Sequence, residues 1–200
     1  MKDMLKLICS LGAICLVGSA ALTWVYSTTV KPIQQAAEKA LTADLKKVLP
    51  PETAATETLE QSGTNGIYAA RNAEKGLIGY AVQSVGKGGF GGEVKVLVGF
   101  LPNGTIRAVM ITDHKETPGI GSKATDRKVQ RTLMDVLRGK KVEDSFPPNA
   151  FLDSFAGKKA QEGVSTVQGV SGATYSSRAV TSGIDEACRA LKEYLQKEMK

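Results

Sequence analysis

The sequence predicts an α+β domain, an antiparallel sheet flanked by helices, preceded by one transmembrane helix at the N-terminus. Three observations carry that expectation. Residues 7–26 hold no charge. The middle of the chain holds segments rich in β-branched residues, and an Asn-Gly turn joins two of them. The helical periodicities fall beside these segments instead of alternating with them, which separates α+β from α/β.

The apolar run comes first. As a helix, residues 7–26 rise about 30 Å, the depth of a bilayer's hydrocarbon core. Trp24 and Tyr26 stand at the far end, where an aromatic belt forms. The start "MKDMLK" and the small residues "GSAA" also fit a cleaved signal peptide. The run continues past "GSAA" to the aromatics, so a retained anchor is expected. Lys2 and Lys6 favour a cytoplasmic N-terminus, and Lys31 weakens that bias. The expected location is therefore the cytoplasmic (inner) membrane, with a single pass and the main domain on its outer, periplasmic side.

Pro32 is expected to end the anchor. Ile33, Ala36, Ala37, Ala40, Leu41, Leu45 and Val48 then recur at helical spacing, until Pro50 and Pro51 stop that helix. The polar stretch "ETAATETLEQSGTNG" is expected to be a loop. "GLIGYAVQSVG", "EVKVLVGF" and "TIRAVMIT" read as strands, and "LPNGT" reads as a tight hairpin. A helix is expected over 125–138, on Val129, Leu133, Val136 and Leu137, with Gly139 at its C-cap. "SFPPNAF" reads as a turn. Val180, Ile184, Ala187, Cys188, Leu191 and Leu195 mark a closing helix over 177–197. The domains expected are an anchor over 1–31, a helical connector and loop over 32–65, and the main domain over 66–200.

Composition excludes several functions. The net charge of +6 is modest and scattered, with no basic block interleaved with aromatics, so nucleic-acid binding is not expected. Cys9 and Cys15 lie in the anchor and Cys188 in the last helix, so no pair staples the domain and no spacing suggests a metal.

Three stretches hold residues that strands and helices do not explain. "SVGKGGFGGEV" sets glycines around Phe90, which suits either close approach to a ligand or a mobile hairpin loop. "ITDHKETPGIGSK" carries the lone histidine, His114, with no evident acidic partner in the sequence. In its "TPGIG" part, Pro118 fixes φ while Gly119 and Gly121 free it on either side of Ile120. Such a loop displays an apolar residue and backbone amides, and suits the edge of a flat ring. The third stretch is "VSGATYSS". Gly172 and Ala173 remove bulk, and Ser171, Thr174, Ser176 and Ser177 supply hydroxyls before a helix. A helix N-terminus attracts phosphate, and the same residues also serve as an N-cap. Neither a phosphate-binding Gly-Lys-Ser/Thr loop nor a Gly-x-Ser-x-Gly nucleophile elbow is present.

"SGAT" within "VSGATYSS" resembles the flavinylation motif of the FMN-binding domain family. "HKETPGIG" resembles the loop of the G subunits of Rnf electron-transport complexes and of the related C subunits of sodium-pumping NADH:quinone reductases. The glycine-rich hairpin, the anchor and the length agree with the Rnf G subunits. The quinone-reductase C subunits are generally longer, and their loop usually lacks the lysine at Lys115. The resemblance implies FMN joined covalently by a phosphoester to Thr174, attached by a flavin transferase. It implies cofactor contacts from Ser171, Gly172, Ala173, Tyr175, Ser176 and Ser177, and from Glu116, Thr117, Pro118, Gly119, Ile120 and Gly121. It implies an electron-transfer subunit, not a complete enzyme, working with other Rnf-type membrane and iron–sulfur subunits in a ferredoxin:NAD oxidoreductase that moves ions. A membrane-tethered FMN-binding sensor is the alternative from another class. The family often carries aspartate three residues before the motif serine, where this chain has Gln168.

Overall fold

The computed structural model describes residues 2–63, 65–127, 146–160, 164 and 167–198. The three predicted strands are present as β3 (Leu77–Gly89), β4 (Gly92–Phe100) and β5 (Ile106–Asp113), and two more strands precede them. These are β1 (Ala55–Ser62) and β2 (Asn65–Arg71). All neighbours pair antiparallel, in the order β1-β2-β3-β4-β5. The Asn-Gly hairpin forms as expected. Gly104 takes φ 77°, and its N–H donates to the Leu101 carbonyl at 2.9 Å.

β1 corrects the expected polar loop. Its side chains are exposed except Leu59, which is partly buried, so the strand carries no alternating apolar signal. It is an edge strand, held by its backbone pairing to β2, and charged residues on such an edge discourage pairing with other chains.

Helix α1 spans Lys2–Val48, and Pro32 lies inside it, so Pro32 does not end the anchor helix. A proline there removes one backbone bond, at a cost of about 3 kcal/mol. The run "QQAAEKAL" that follows is rich in good helix formers, which carry the helix onward. Among the described residues α1 is the one helix long and apolar enough to cross a membrane. The chain divides into two compact units, Met1–Thr42 and Ala43–Lys200. In the first, Leu11, Ile14, Val17, Leu22 and Trp24 are all exposed, so the helix is apolar all round.

In the second unit the sheet is covered on both faces. The end of α1 contributes Leu45, Val48 and Leu49, all buried. Gly99 makes room for it: a Cβ there would run into the Val48 carbonyl. Arg107 Nη1 donates to the Val48 carbonyl at 2.8 Å, satisfying an acceptor that the helix end leaves open.

The other face packs on α4 (Thr174–Glu198). Val180, Ile184, Ala187, Cys188 and Leu191 are buried as the stripe predicted, against Val82, Val94, Val96 and Val98. The helix starts at Thr174, three residues earlier than expected. Two glycines bring helix and sheet to backbone contact. A Cβ at Gly183 would lie 2.6 Å from Val96 Cγ2, and one at Gly86 would strike the Ala179 carbonyl. Ser84 Oγ donates to the Gly183 carbonyl at 2.7 Å across the same seam.

Two short helices complete the described part, α2 (Ser122–Thr125) and α3 (Ala150–Asp153). The end of "SFPPNAF", expected as a turn, begins α3. Asn149 caps it, with Oδ1 accepting from the N–H groups of Phe151 and Leu152 at 3.0 and 3.1 Å. Phe151, Leu152 and Phe155 enter the core. The helix expected over 125–138 lies outside the described residues from 128 onward.

Candidate functional site

The site is set by where α4 begins. Gly172 takes φ 77°, a left-handed conformation that glycine adopts without strain. The Ala173 N–H donates to the Val170 carbonyl at 3.0 Å, and the Ala173 carbonyl accepts from the Ser177 N–H at 2.9 Å. Alanine therefore holds the cap position and has no side chain to satisfy the first-turn amides. Among the described residues no side chain accepts from the N–H of Thr174, Tyr175 or Ser176. The N-terminal end of the helix is thus left open, with its positive dipole end toward solvent.

The four hydroxyls divide by helix geometry. Ser176 and Ser177 lie on the buried face and are 3% and 2% exposed. Ser177 Oγ accepts from the Val170 N–H at 2.9 Å, closing the incoming turn. Ser176 Oγ donates to Glu116 Oε2 at 2.7 Å. Both hydroxyls, expected as cofactor contacts, have partners within the protein, and Ser176 also lines the hollow described below. Thr174 and Ser171 are exposed, and among the described residues neither hydroxyl has a partner.

The three stretches singled out in the sequence converge here. A hollow of about 220 Å³ is lined by Phe90 from the β3–β4 hairpin, by Glu116, Thr117, Ile120 and Gly121, and by residues 172–176. Pro118, Gly119, Ser171 and Ser177 do not line it. Phe90, Ile120 and Tyr175 are all exposed at its rim, an apolar border around a polar floor. A wider groove of about 590 Å³ opens on the other side of Thr174, along Arg178, Thr181, Asp185 and Arg189. Phe90 was noticed in the sequence only as the residue among the glycines. That isolation is the signal that marks it: glycines at 88, 89, 91 and 92 leave its ring as the one side chain of the hairpin tip.

The loop after β5 is braced internally. Gly119 takes φ 79°, and its N–H donates to Ser122 Oγ at 2.8 Å. His114 has an acidic partner after all. Its Nε2 is bonded to Asp126 Oδ1, and Thr125 Oγ1 lies 3.2 Å away. The sequence hides this because Asp126 is twelve residues further on, beyond α2. The Glu116 N–H donates to His114 Nδ1 at 3.2 Å, so Nε2 carries the ring proton and gives it to Asp126. His114 thus joins the two ends of the loop, through Asp126 on one side and the Glu116 N–H on the other.

The glycine stretch is a strand hairpin. β3 and β4 run to its tip, where Gly89 pairs with Gly92. Cys188, below the site in α4, is buried, and burial pushes its thiol from the usual 9.0 up to about 12.

Fold and site together define an α+β domain that opens a small hollow at the mouth of its closing helix. The chain belongs to the FMN-binding domain family, whose model matches residues 89–189. It is similar to the G subunit of the proton-translocating ferredoxin:NAD(+) oxidoreductase complex of Clostridium ljungdahlii, 28% identical over 173 residues, 86% of this chain and 83% of that protein. The Na(+)-translocating counterpart of Acetobacterium woodii is 31% identical over 109 residues, 54% of this chain and 47% of that protein. The G subunit of the ion-translocating oxidoreductase complex of Pasteurella multocida is 28% identical, with 94% of this chain and 93% of that protein aligned. Among solved structures, NqrC of Shewanella oneidensis matches with a TM-score of 0.42 and 20% identity, over 74% of this chain and 72% of that one.

Proposed function

We propose that this chain is the G-like electron-transfer subunit of a membrane-bound, ion-translocating ferredoxin:NAD oxidoreductase. It carries FMN through a phosphoester on Thr174. The observation that carries the reading is the Thr174 hydroxyl. It is exposed, unengaged among the described residues, and placed on the first turn of α4 where the three stretches meet.

The residues present fit the group. Gly172 and Ala173 leave space beside the hydroxyl, and the open first-turn amides suit the remaining negative charge of a phosphodiester. Phe90, Ile120 and Tyr175 offer apolar surface to a flat ring, above a floor that includes Thr117 and Gly121. The hollow is smaller than the roughly 300 Å³ at which most enclosed ligand pockets begin. Covalent attachment therefore has a physical purpose, because it retains a group that the fold does not enclose. FMN, when bound, supplies the redox chemistry. The protein's own part is to hold the ester at Thr174 and to border the ring.

Residues 1–31 serve in this reading as the anchor, and the domain that follows works outside the cytoplasmic membrane beside multi-spanning and iron–sulfur subunits. A flavin transferase performs the maturation. Affinity purification from native membranes tests this assignment. The chain is expected to bring down multi-spanning and iron–sulfur subunits, and under denaturing electrophoresis its own band is expected to fluoresce. A fluorescent band without such partners would point instead to a tethered sensor, and a dark band would remove the covalent flavin.

A further inference from the structure

Among the described residues Glu116 is the one charged residue that is buried. Its side chain is only 6% exposed, in a loop between β5 and α2. A loop that needed only filling would take an apolar residue there, with no carboxyl to desolvate. Instead Oε2 accepts from Ser176 Oγ at 2.7 Å, and Oε1 accepts from the Gly91 N–H at 3.3 Å. One side chain thus bonds to the β3–β4 hairpin and to the first turn of α4, while its own backbone N–H is tied to His114.

The glycines around it make the same point independently. A Cβ at Gly121 would lie 2.6 Å from Glu116 Oε2 and 2.8 Å from Ser176 Oγ. A Cβ at Gly89 would press on Glu116 Oε1, and one at Gly91 on the Lys115 carbonyl. Glycines from two separate loops are therefore shaped to the Glu116 segment, and larger residues would displace it.

From these contacts, and resting on the flavin reading above, we propose that Glu116 is a positioning residue. Its carboxylate ties the glycine hairpin, the 116–122 loop and the first turn of α4 together, and so fixes where Thr174 presents its hydroxyl. It acts through Ser176, two residues along the helix from the attachment point.

Two measurements test the tie. The first is hydrogen exchange on the unmodified chain. E116A is expected to speed exchange in three segments together, 86–94, 116–122 and 171–180. E116Q is expected to stay near wild type, because the amide still accepts from Gly91 and can donate to Ser176. E116D, shorter by a methylene, is expected to follow E116A. The second is the initial rate of flavin attachment by the transferase. It is expected to fall roughly tenfold or more in E116A and E116D, as small misplacements of reacting groups do, and to hold within about twofold in E116Q. Unchanged exchange in E116A over 177–180, the first amides of α4 that are bonded within the helix, would overturn the proposal. So would faster exchange spread evenly over the sheet, the mark of a merely stabilising group. If E116A does not fold, S176A removes the same bond from the other side. It is expected to free the 116–122 loop, and an unaltered S176A also overturns the tie. If the wild type takes up no flavin, the functional reading falls, and the exchange comparison still decides this proposal.

Discussion

Four aliphatic hydroxyls stand from Ser171 to Ser177, and two of them are engaged inside the protein. Their fates follow from where the helix starts. With Thr174 as its first residue, Ser176 and Ser177 continue the buried row of Val180, Ile184 and Leu191, and Thr174 points away from it. Chemistry follows position. Ser177→Ala is expected to cost about 1 kcal/mol in chemical denaturation, because the Val170 N–H loses its acceptor, while flavin loading persists. Thr174→Ser keeps an acceptor hydroxyl and is expected to load; Thr174→Val is expected not to. Cys188 is expected to resist thiol reagents near neutral pH in the folded chain. Its raised value also has a sign. The folded thiol holds its proton longer than the unfolded one, so its contribution is full below 9.0 and is lost as pH rises from there to about 12. An alkaline denaturation series is expected to show that decline, and Cys188→Ala to lessen it.

At the scale of elements, the seam between α4 and the sheet governs the site. Gly86 and Gly183 let the helix approach β3 and β4 until backbones touch. Gly183→Ala is expected to cost about 1–3 kcal/mol by overpacking, read in thermal or denaturant unfolding. Asn149→Ala is expected to cost about 1–2 kcal/mol through the lost cap of α3, and Asn149→Asp no less, since a carboxylate still accepts from Phe151 and Leu152 but cannot donate, as Nδ2 does, to the carbonyls of Lys123 and Asp126. Much of this was legible in the sequence. The β-branched runs, the Asn103-Gly104 turn and the α4 stripe each carry their own periodic or turn signal. β1 does not, because an edge strand with one partly buried side chain shows no alternation. α1 passing through Pro32 was not legible either, since proline's local rule loses to the helix formers that follow it. The site was legible as three separate stretches. Their meeting was not, because it depends on Gly86 and Gly183, whose role is visible only once helix and sheet are packed.

At the scale of the whole molecule, the two units present different surfaces. The residues of Met1–Thr42 expose apolar side chains on every side, and those of Ala43–Lys200 bury theirs around a sheet. That division underlies the proposed arrangement, an anchor within the bilayer and a flavin domain beyond it. Protease added to spheroplasts is expected to digest the second unit, and protease added to inside-out vesicles is expected to spare it. The opposite pattern would reverse the proposed sidedness. The proposed covalent flavin rests on the hydroxyl of one residue. Its most direct test is intact-mass analysis of the chain produced together with a flavin transferase. The wild type is expected to gain the mass of FMN less one water, and Thr174→Ala to gain nothing. A wild type of unmodified mass, or a Thr174→Ala chain that still gains the flavin, would contradict it.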